Sequence, residues 1–454
     1  MDKELVVKPV LTYSTPQRKE AWSWREWGGI QTEDQAAEEA DRIQRELSSL
    51  KADFNLRILP LSRVKRAEDV SSIDLNQADV LLIYGAGGSL ALLDSLISKK
   101  RWNILFLRHQ TGPFYLWYEI AHPILLRKWV SDEPLQSNIS LDDIVVDSYD
   151  VLAKKLRALH GLKNTMGKRI LAVGAPSGWG IGGKAVERAK ERWGLDIVTV
   201  PYEPDLAQRI AKKREDPSAV EGARKKAQEY LSAGGVELKT AQEFVVNSFL
   251  LYEIFEELMN ENNADAITIN DCMTTIMPMA HTTACLPLSL INDEGKLAFC
   301  ESDFVVIPAG ILLHYISGKP VFLNDPTFPH DGIVTVAHDT APRLMNGKKP
   351  ADVKLFTHYE SDYGAAPQVL FEKGQGLTVI DPDFEEKIWL GFRGKVLKAP
   401  DYPICHSQMD LEIDGDWQKL LKEMRGFHWM IGYGDYLEEL EYALAKAGIE
   451  FRKV

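Results

Sequence analysis

The stretch CESDFVVIPAGILLHYISGKPVFLNDP, residues 300–326, places a carboxylate just after each of two short apolar runs: Glu301 after LAFC and Asp325 after PVFL. Both runs have the length and apolar character of buried parallel strands, and the residues between them predict a crossover helix ending at Gly318. Asp303 reads as the N-cap of that helix, and Pro308 suits only its first turns or a kink. A right-handed βαβ crossover would make the strands parallel and bring their C-terminal ends to one sheet edge, where open α/β sheets bind ligands. Glu301 and Asp325 then become neighbours. Two converging carboxylates repel unless a shared proton or a cation compensates them. Hard oxygen ligands with one imidazole suit Mn²⁺ or Mg²⁺ better than zinc. The plainer alternative makes both acids strand-end polar residues, one of them capping a helix.

Ten histidines are available for a further ligand. His428, in GFHWMIGYGD, sits in an apolar, aromatic setting just before the final helix, so ligation and simple packing beside Trp429 are both open to it.

These residues need a scaffold of several domains, because 454 residues exceed what one core supports. The first third alternates β-type runs (ELVVKPVLTY, FNLRILPL, ADVLLIYGAGG, WNILFLRHQ) with helical segments, the pattern of parallel strands covered by helices. A second series, from RILAVGAPSGWG through LDIVTVPYE, ADAITIND and LAFCESD, repeats that texture. From about Ala351 short β-like runs punctuated by turn residues take over. The expected fold is α/β: two parallel-sheet Rossmann-like domains, 1–165 and 166–350, then a mostly antiparallel β-rich C-terminal domain, 351–454, with a terminal helix. In that helix Asp435 is the expected cap, Leu437, Leu440 and Leu444 share one face, and Gly448 is the stop.

Composition narrows the function classes. With 53 Lys and Arg against 66 Asp and Glu, the formal charge of −13 would repel a phosphate backbone, and no basic block offsets it, so no nucleic-acid partner is expected. No apolar run reaches the length of a membrane span, and MDKELVVKPV has neither a basic n-region nor an apolar h-region. Four widely spaced cysteines suit free thiols in a reducing compartment. A cytoplasmic location without membrane partners is expected.

The segments ACLPLSLINDEGKLAFCESD, GKPVFLNDP, CHSQMDLEIDGDW and GFHWMIGYGDYLEELEYALAKAGIEF together resemble the L-fucose and L-arabinose isomerase superfamily, from about Leu162 onward. In the fucose isomerase branch a Glu, an Asp and a distant His hold a divalent metal, typically Mn²⁺, with Mg²⁺ or Co²⁺ as substitutes. The matching positions are Glu301, Asp325 and His428. The resemblance further implies two α/β domains, a β-rich C-terminal domain, and a homo-oligomer, hexamer or trimer. The arabinose isomerase branch resembles a Glu, Glu, His, His set instead. Asp325 departs from that set, and His330 and His338 follow it at distances that leave an additional ligand open.

The implied reaction is aldose–ketose isomerisation of an open-chain sugar through an enediol(ate), with Glu301 and Asp325 serving the proton transfers and the metal stabilising the intermediate. Trp429 or another aromatic is expected to pack on the sugar's carbon face. Asp271, after ADAITIN, either binds sugar hydroxyls or caps a turn. Cys272 reads as a small hydrophobe. Trp22, Trp24 and Trp27 in AWSWREW read as helix packing, or else face sugar across a subunit boundary. Epimerisation, a modified sugar, or a non-catalytic sugar-binding protein on this fold are the alternatives. A dinucleotide reading of GWGIGG (Gly178–Gly183), with Glu203 about 20 residues on, ranks last because the preceding strand ends too early, at Val173. No organic cofactor is expected.

Overall fold

Leu5–Thr12 (β1) is buried at every position, as a strand covered on both faces requires. It lies in a parallel sheet with Leu56–Ile58 (β2), Ser62–Val64 (β3), Val80–Gly85 (β4), Trp102–Leu107 (β5) and Ile144–Val146 (β6), in the order β2-β1-β4-β5-β6 with β3 also on β1. The helix Glu33–Ser48 starts at a capping box in which Thr32 and Gln35 satisfy each other's backbone N–H groups. The computed structural model describes residues 2–97, 100–115, 126 and 139–454. The chain divides into two units, Asp2–His160 and Gly161–Val454.

The tryptophans of AWSWREW do not pack as a helix: the segment is a loop, and Trp22 and Trp27 are 72% and 68% exposed. Its Gly-Gly neighbour, Gly28–Gly29, and the charges of Arg25 and Glu26 leave it no apolar periodicity with which to build a face.

The second unit contains three sheets. Arg169–Val173 (β7), Asp196–Val200 (β8), Ala266–Ile269 (β10) and Leu297–Phe299 (β11) form a parallel sheet in the order β11-β10-β7-β8, while Val236–Leu238 (β9) joins Val353–His358 (β14) and Tyr363–Val369 (β15) in a small mixed sheet. The third sheet holds Val321–Pro326 (β12), Ile333–His338 (β13), Gly376–Pro382 (β16), Ile388–Lys398 (β17), Ser407–Asp414 (β18) and Trp429–Tyr433 (β19), in the order β16-β19-β12-β13-β18-β17. Because β17 pairs back onto β16, these six antiparallel strands close into a barrel, and Glu450–Lys453 (β20) adds to β17 in parallel. Closure leaves no long unpaired edge among them.

Two expectations change here. The antiparallel sheet begins at Val321, well before 351, and β11 and β12 are not parallel neighbours in one sheet: β11 ends the parallel sheet, and β12 belongs to the barrel. The reason lies in the connecting helix Ile307–Ser317, nine of whose eleven residues are buried. A helix apolar all round has no solvent face and so packs between layers. A Cβ on its Gly310 would meet Phe299 of β11 at 2.5 Å and Met430 of β19 at 2.7 Å, so the helix is wedged between sheet and barrel.

The helix ends at Gly318 in the left-handed conformation, as expected, but its N-cap is Val306; Asp303 lies upstream and has other partners. The closing helix Leu437–Ala447 buries Leu437, Leu440 and Leu444 and stops at Gly448. Its N-cap is Tyr436, while Asp435 just before it pairs with Arg393 at 2.8 Å through one oxygen and accepts the Leu437 N–H at 3.5 Å with the other. Among the described residues no helix is long and apolar enough to cross a membrane.

Candidate metal centre

Glu301 and Asp325 reach the same place from different sheets. Glu301 follows β11 at the C-terminal edge of the parallel sheet. Asp325 lies on β12 in the barrel, whose register pairs Asn324 with Trp429, so the next step sets Asp325 opposite His428. On the other side of β12, Asp325 pairs with Ala337, bringing His338 to the same barrel end. A cavity of about 590 Å³ opens there, lined by Glu301, Asp325 and His338, by Trp179 and Phe427, and by Asp271 after β10.

The backbone is turned sharply at two of the sheet-edge positions. Glu301 and Ser302 adopt φ of +62° and +46°, and Asp271 adopts +44°. Non-glycine residues in this region cost about 1–3 kcal/mol each and cluster at functional sites, where the surrounding structure holds them. At β11 the turn aims the Glu301 carboxylate away from the sheet and toward the barrel.

Each Glu301 oxygen is engaged. Oε2 accepts the Trp179 indole N–H at 2.6 Å and lies 3.3 Å from His428 Nε2; Oε1 lies 3.4 Å from His338 Nε2. Burial opposes the charge, yet the hydrogen bonds and charges of His338 and His428 outweigh it and hold the Glu301 pKa far below the usual carboxylate range. Asp325 is different. Burial raises its pKa despite the two imidazoles, and the charges of Glu301 and Glu360 push the same way. The two acids therefore differ in proton affinity, Glu301 a fixed anion and Asp325 a readier proton acceptor.

His428 is only 1% exposed, and its orientation comes from Asp303. The Asp303 carboxylate accepts the ring Nδ1–H at 2.8 Å with one oxygen and the backbone N–H groups of Trp179 and Val305 with the other. With its Nδ1–H committed, His428 points Nε2 toward Glu301 and Asp325, the arrangement by which a carboxylate orients a ligating histidine. His428 Nε2 and Asp325 Oδ1 stand 3.3 Å apart, and both are buried without a hydrogen-bond partner. Such orphaned atoms are costly unless something sits between them. Asp325 and His428 belong, with His338, to a cluster of ligand atoms within 4.8 Å of one another, and Glu301 Oε2 reaches the same His428 Nε2 at 3.3 Å; two carboxylates approaching one imidazole nitrogen suit a divalent cation.

His338 plays another part. Its Nδ1 accepts the backbone N–H of Asp339 at 2.9 Å, so its proton resides on Nε2 and points at Glu301. Although burial disfavours charge on this ring, the Glu301 hydrogen bond and the Asp325 and Glu301 charges raise its pKa. Its Nε2 lies within 4.8 Å of ligand atoms of Asp325 and His428, and also of Cys300 and Glu301; the Asp339 N–H makes it a donor among them. His330 is exposed in the turn after β12, its Nδ1 3.0 Å from the Phe328 carbonyl, and does not line the cavity.

The expected sugar-facing aromatic is displaced. Trp429 is 0% exposed, inside the barrel core, edge-on to Phe392 at 5.6 Å. Successive strand residues face opposite sides, so a neighbour of His428 on β19 turns inward. Trp179 and Phe427 take the wall position, stacked at 4.4 Å with 6° between their planes and both half-exposed. Trp179 belongs to GWGIGG, whose glycines have local uses: a Cβ at Gly178 would collide with Ala185, and Gly180 and Gly182 adopt φ of +76° and +56°. The loop delivers Trp179 to Glu301. Asp271 lines the cavity and is exposed. The Cys272 thiol accepts the Ala284 N–H at 3.4 Å, and burial pushes its pKa up to about 11.

Sequence reasoning missed Asp303, Trp179 and the role of Asp381. The buried Asp381 on β16 accepts the backbone N–H groups of Arg425 and Gly426 at 2.8 and 2.6 Å, fixing the loop that leads into Phe427 and His428. The Glu-Ser-Asp spacing after β11 was the available signal for Asp303. Asp303→Asn is expected to lower divalent-metal affinity about 10- to 100-fold, because the amide N–H₂ turned toward Nδ1 would favour the wrong tautomer of His428. Mn²⁺ titration followed by electron paramagnetic resonance measures it, and unchanged affinity would remove Asp303 from this role.

The chain matches no protein-family model and no curated protein.

Proposed function

We propose that this chain is a divalent-metal-dependent aldose–ketose isomerase acting on a neutral open-chain sugar through an enediol(ate). One observation carries the reading: Asp325 Oδ1 and His428 Nε2 are buried without a hydrogen-bond partner and face each other at 3.3 Å, beside a Glu301 carboxylate held as an anion. The likeness of the Glu301, Asp325 and His428 segments to the fucose isomerase branch supports the same three residues. The cavity of about 590 Å³ is ample for one sugar.

Glu301, Asp325 and His428 would hold a cation such as Mn²⁺, which would supply Lewis-acid stabilisation of the negative charge developing on the sugar. The chain's own groups do the rest. Both Glu301 oxygens are engaged, by Trp179, His338 and His428, whereas Asp325 has the freer carboxylate, so Asp325 is assigned the proton transfer between neighbouring carbons. Asp303 keeps His428 in its ligating tautomer. The His338 Nε2–H stands beside Glu301 as a donor. Trp179 and Phe427 offer an apolar wall to the sugar's carbon face. Among the described residues no lysine or arginine lines the cavity, so a phosphate or carboxylate on the substrate would find no cationic partner there.

The experiment is a panel of free pentoses, hexoses and 6-deoxy sugars assayed with Mn²⁺ and with EDTA. Metal-dependent ketose formation from at least one sugar is expected; no turnover of any of them would remove the reading.

Proton competition gives a second test. Without metal, burial disfavours a charged His428, but the Asp303 hydrogen bond and the charges of Glu301 and Asp325, each 3.3 Å from Nε2, outweigh it and push its pKa to about 10. The proton on Nε2 must leave before a cation can bind. Mn²⁺ affinity should therefore rise with pH, by about tenfold per unit between roughly pH 7 and 9, with about one proton released per ion. Calorimetry in buffers of different ionisation enthalpy counts the proton, and pH-independent binding would contradict the assignment.

A further inference from the structure

We propose that Asp339 and His358 form a subsite for one hydroxyl of the sugar beyond the reacting pair. The inference rests on the isomerase reading and extends it to the part of the chain that selects the substrate. Asp339 is 1% exposed and lines the same cavity as Glu301 and Asp325. Its Oδ1 accepts the backbone N–H of His406 at 2.6 Å. Its Oδ2 is buried and has no hydrogen-bond partner. The facing group is His358 Nε2, 3.6 Å away, too far for a hydrogen bond. His358 also lines the cavity, and its other nitrogen lies 3.2 Å from Ser361 Oγ.

An unsatisfied acceptor opposite an imidazole nitrogen calls for a ligand group that donates to one and accepts from the other. A hydroxyl does both. An ammonium has no lone pair for the imidazole, and a carboxylate or phosphate would meet Asp339 as a like charge. A metal is less suited here, because among the described residues the open position presents one carboxylate oxygen and one imidazole nitrogen and no third ligand atom. The thiols of Cys285 and Cys405, which also line the cavity, are kept neutral, burial first and the Asp339 charge second raising their pKa values. Asp339 is joined directly to His338, whose Nδ1 its N–H holds. The hydroxyl subsite thus begins one residue from the donor beside Glu301.

The test is calorimetric binding of alditols, the reduced and unreactive open-chain analogues, to Mn²⁺-loaded protein. A full pentitol and hexitol series is compared with monodeoxy alditols lacking one hydroxyl each. Asp339→Asn keeps an oxygen for the His406 N–H and reverses hydrogen-bond polarity at the open position. It should weaken the best alditol about 10- to 100-fold and leave unchanged the already weaker binding of the one monodeoxy compound that lacks the hydroxyl read here. His358→Gln should show the same pattern, and decides the matter if Asp339→Asn does not fold. Wild-type affinities in both variants across the series would overturn the subsite while leaving the isomerase reading in place. No alditol bound by the wild type would overturn both.

Discussion

Asp325→Asn is expected to slow sugar isomerisation by about a thousandfold, the scale of a lost general acid–base group. The carboxylate sits at 3.3 Å from His428 Nε2 and has the freer oxygens, whereas three neighbours engage Glu301. An amide keeps the shape and one oxygen for a cation but cannot take up a proton. Loss should therefore appear in kcat under saturating Mn²⁺, with the cation still bound, if more weakly. Glu301→Gln should differ, losing cation affinity first. Near-normal turnover by the Asp325→Asn protein with metal bound would reassign the proton transfer.

Trp429→Ala carries the largest expected cost in stability, about 3–5 kcal/mol for an aromatic removed from a packed core. Trp429 lies wholly inside the barrel beside Phe392, within a cluster that includes Phe322, Val336, Val379, Leu411 and Ile431. The six strands close around these side chains, and a cavity there has no mobile edge to collapse it. Trp179→Ala removes a half-exposed ring, so its effect should fall on the site through Glu301 and Phe427. Chemical denaturation of the two variants separates these roles. A shift below about 1 kcal/mol for Trp429→Ala would return that residue to the substrate wall that the sequence suggested.

Strand ends and helices were legible because they depend on local periodicity. The run LAFC, the run PVFL and the glycine stop of the helix between them form where the apolar pattern puts them, although the helix begins only at Ile307 and the PVFL strand runs on through Pro326. What the pattern does not contain is the partner of each strand. PVFL has the same apolar texture whether it joins a parallel sheet or a barrel, and its antiparallel pairing with Trp429–Tyr433, about a hundred residues on, is set by tertiary packing. Glu301 and Asp325 were thus expected together through a βαβ unit that does not exist. They meet because the apolar helix Ile307–Ser317 bridges two sheets and carries the chain from the edge of one to the end of the other.

The missed site residues share a cause. Asp303 lies a few residues before a helix, where a cap is the ordinary use of an aspartate, and only the fold reveals that its carboxylate is taken by His428. Trp179 sits in a glycine-rich loop that looks like a phosphate cradle in one dimension. His338 was noticed for its spacing, yet its role depends on which nitrogen the Asp339 N–H engages, a fact of backbone direction. Trp429 shows the converse: adjacency to His428 in sequence suggested the site, and alternation along a strand sends it the other way.

Glu301, Asp325 and His428 are expected to hold one divalent cation. Titration of metal-free protein with Mn²⁺, with free ion read by electron paramagnetic resonance, tests it most directly, in the wild type and in His428→Ala. One tightly bound Mn²⁺ per chain in the wild type, abolished in His428→Ala while the variant remains folded, is the predicted result. No tight Mn²⁺ in the wild type, or the same binding in His428→Ala, would contradict it.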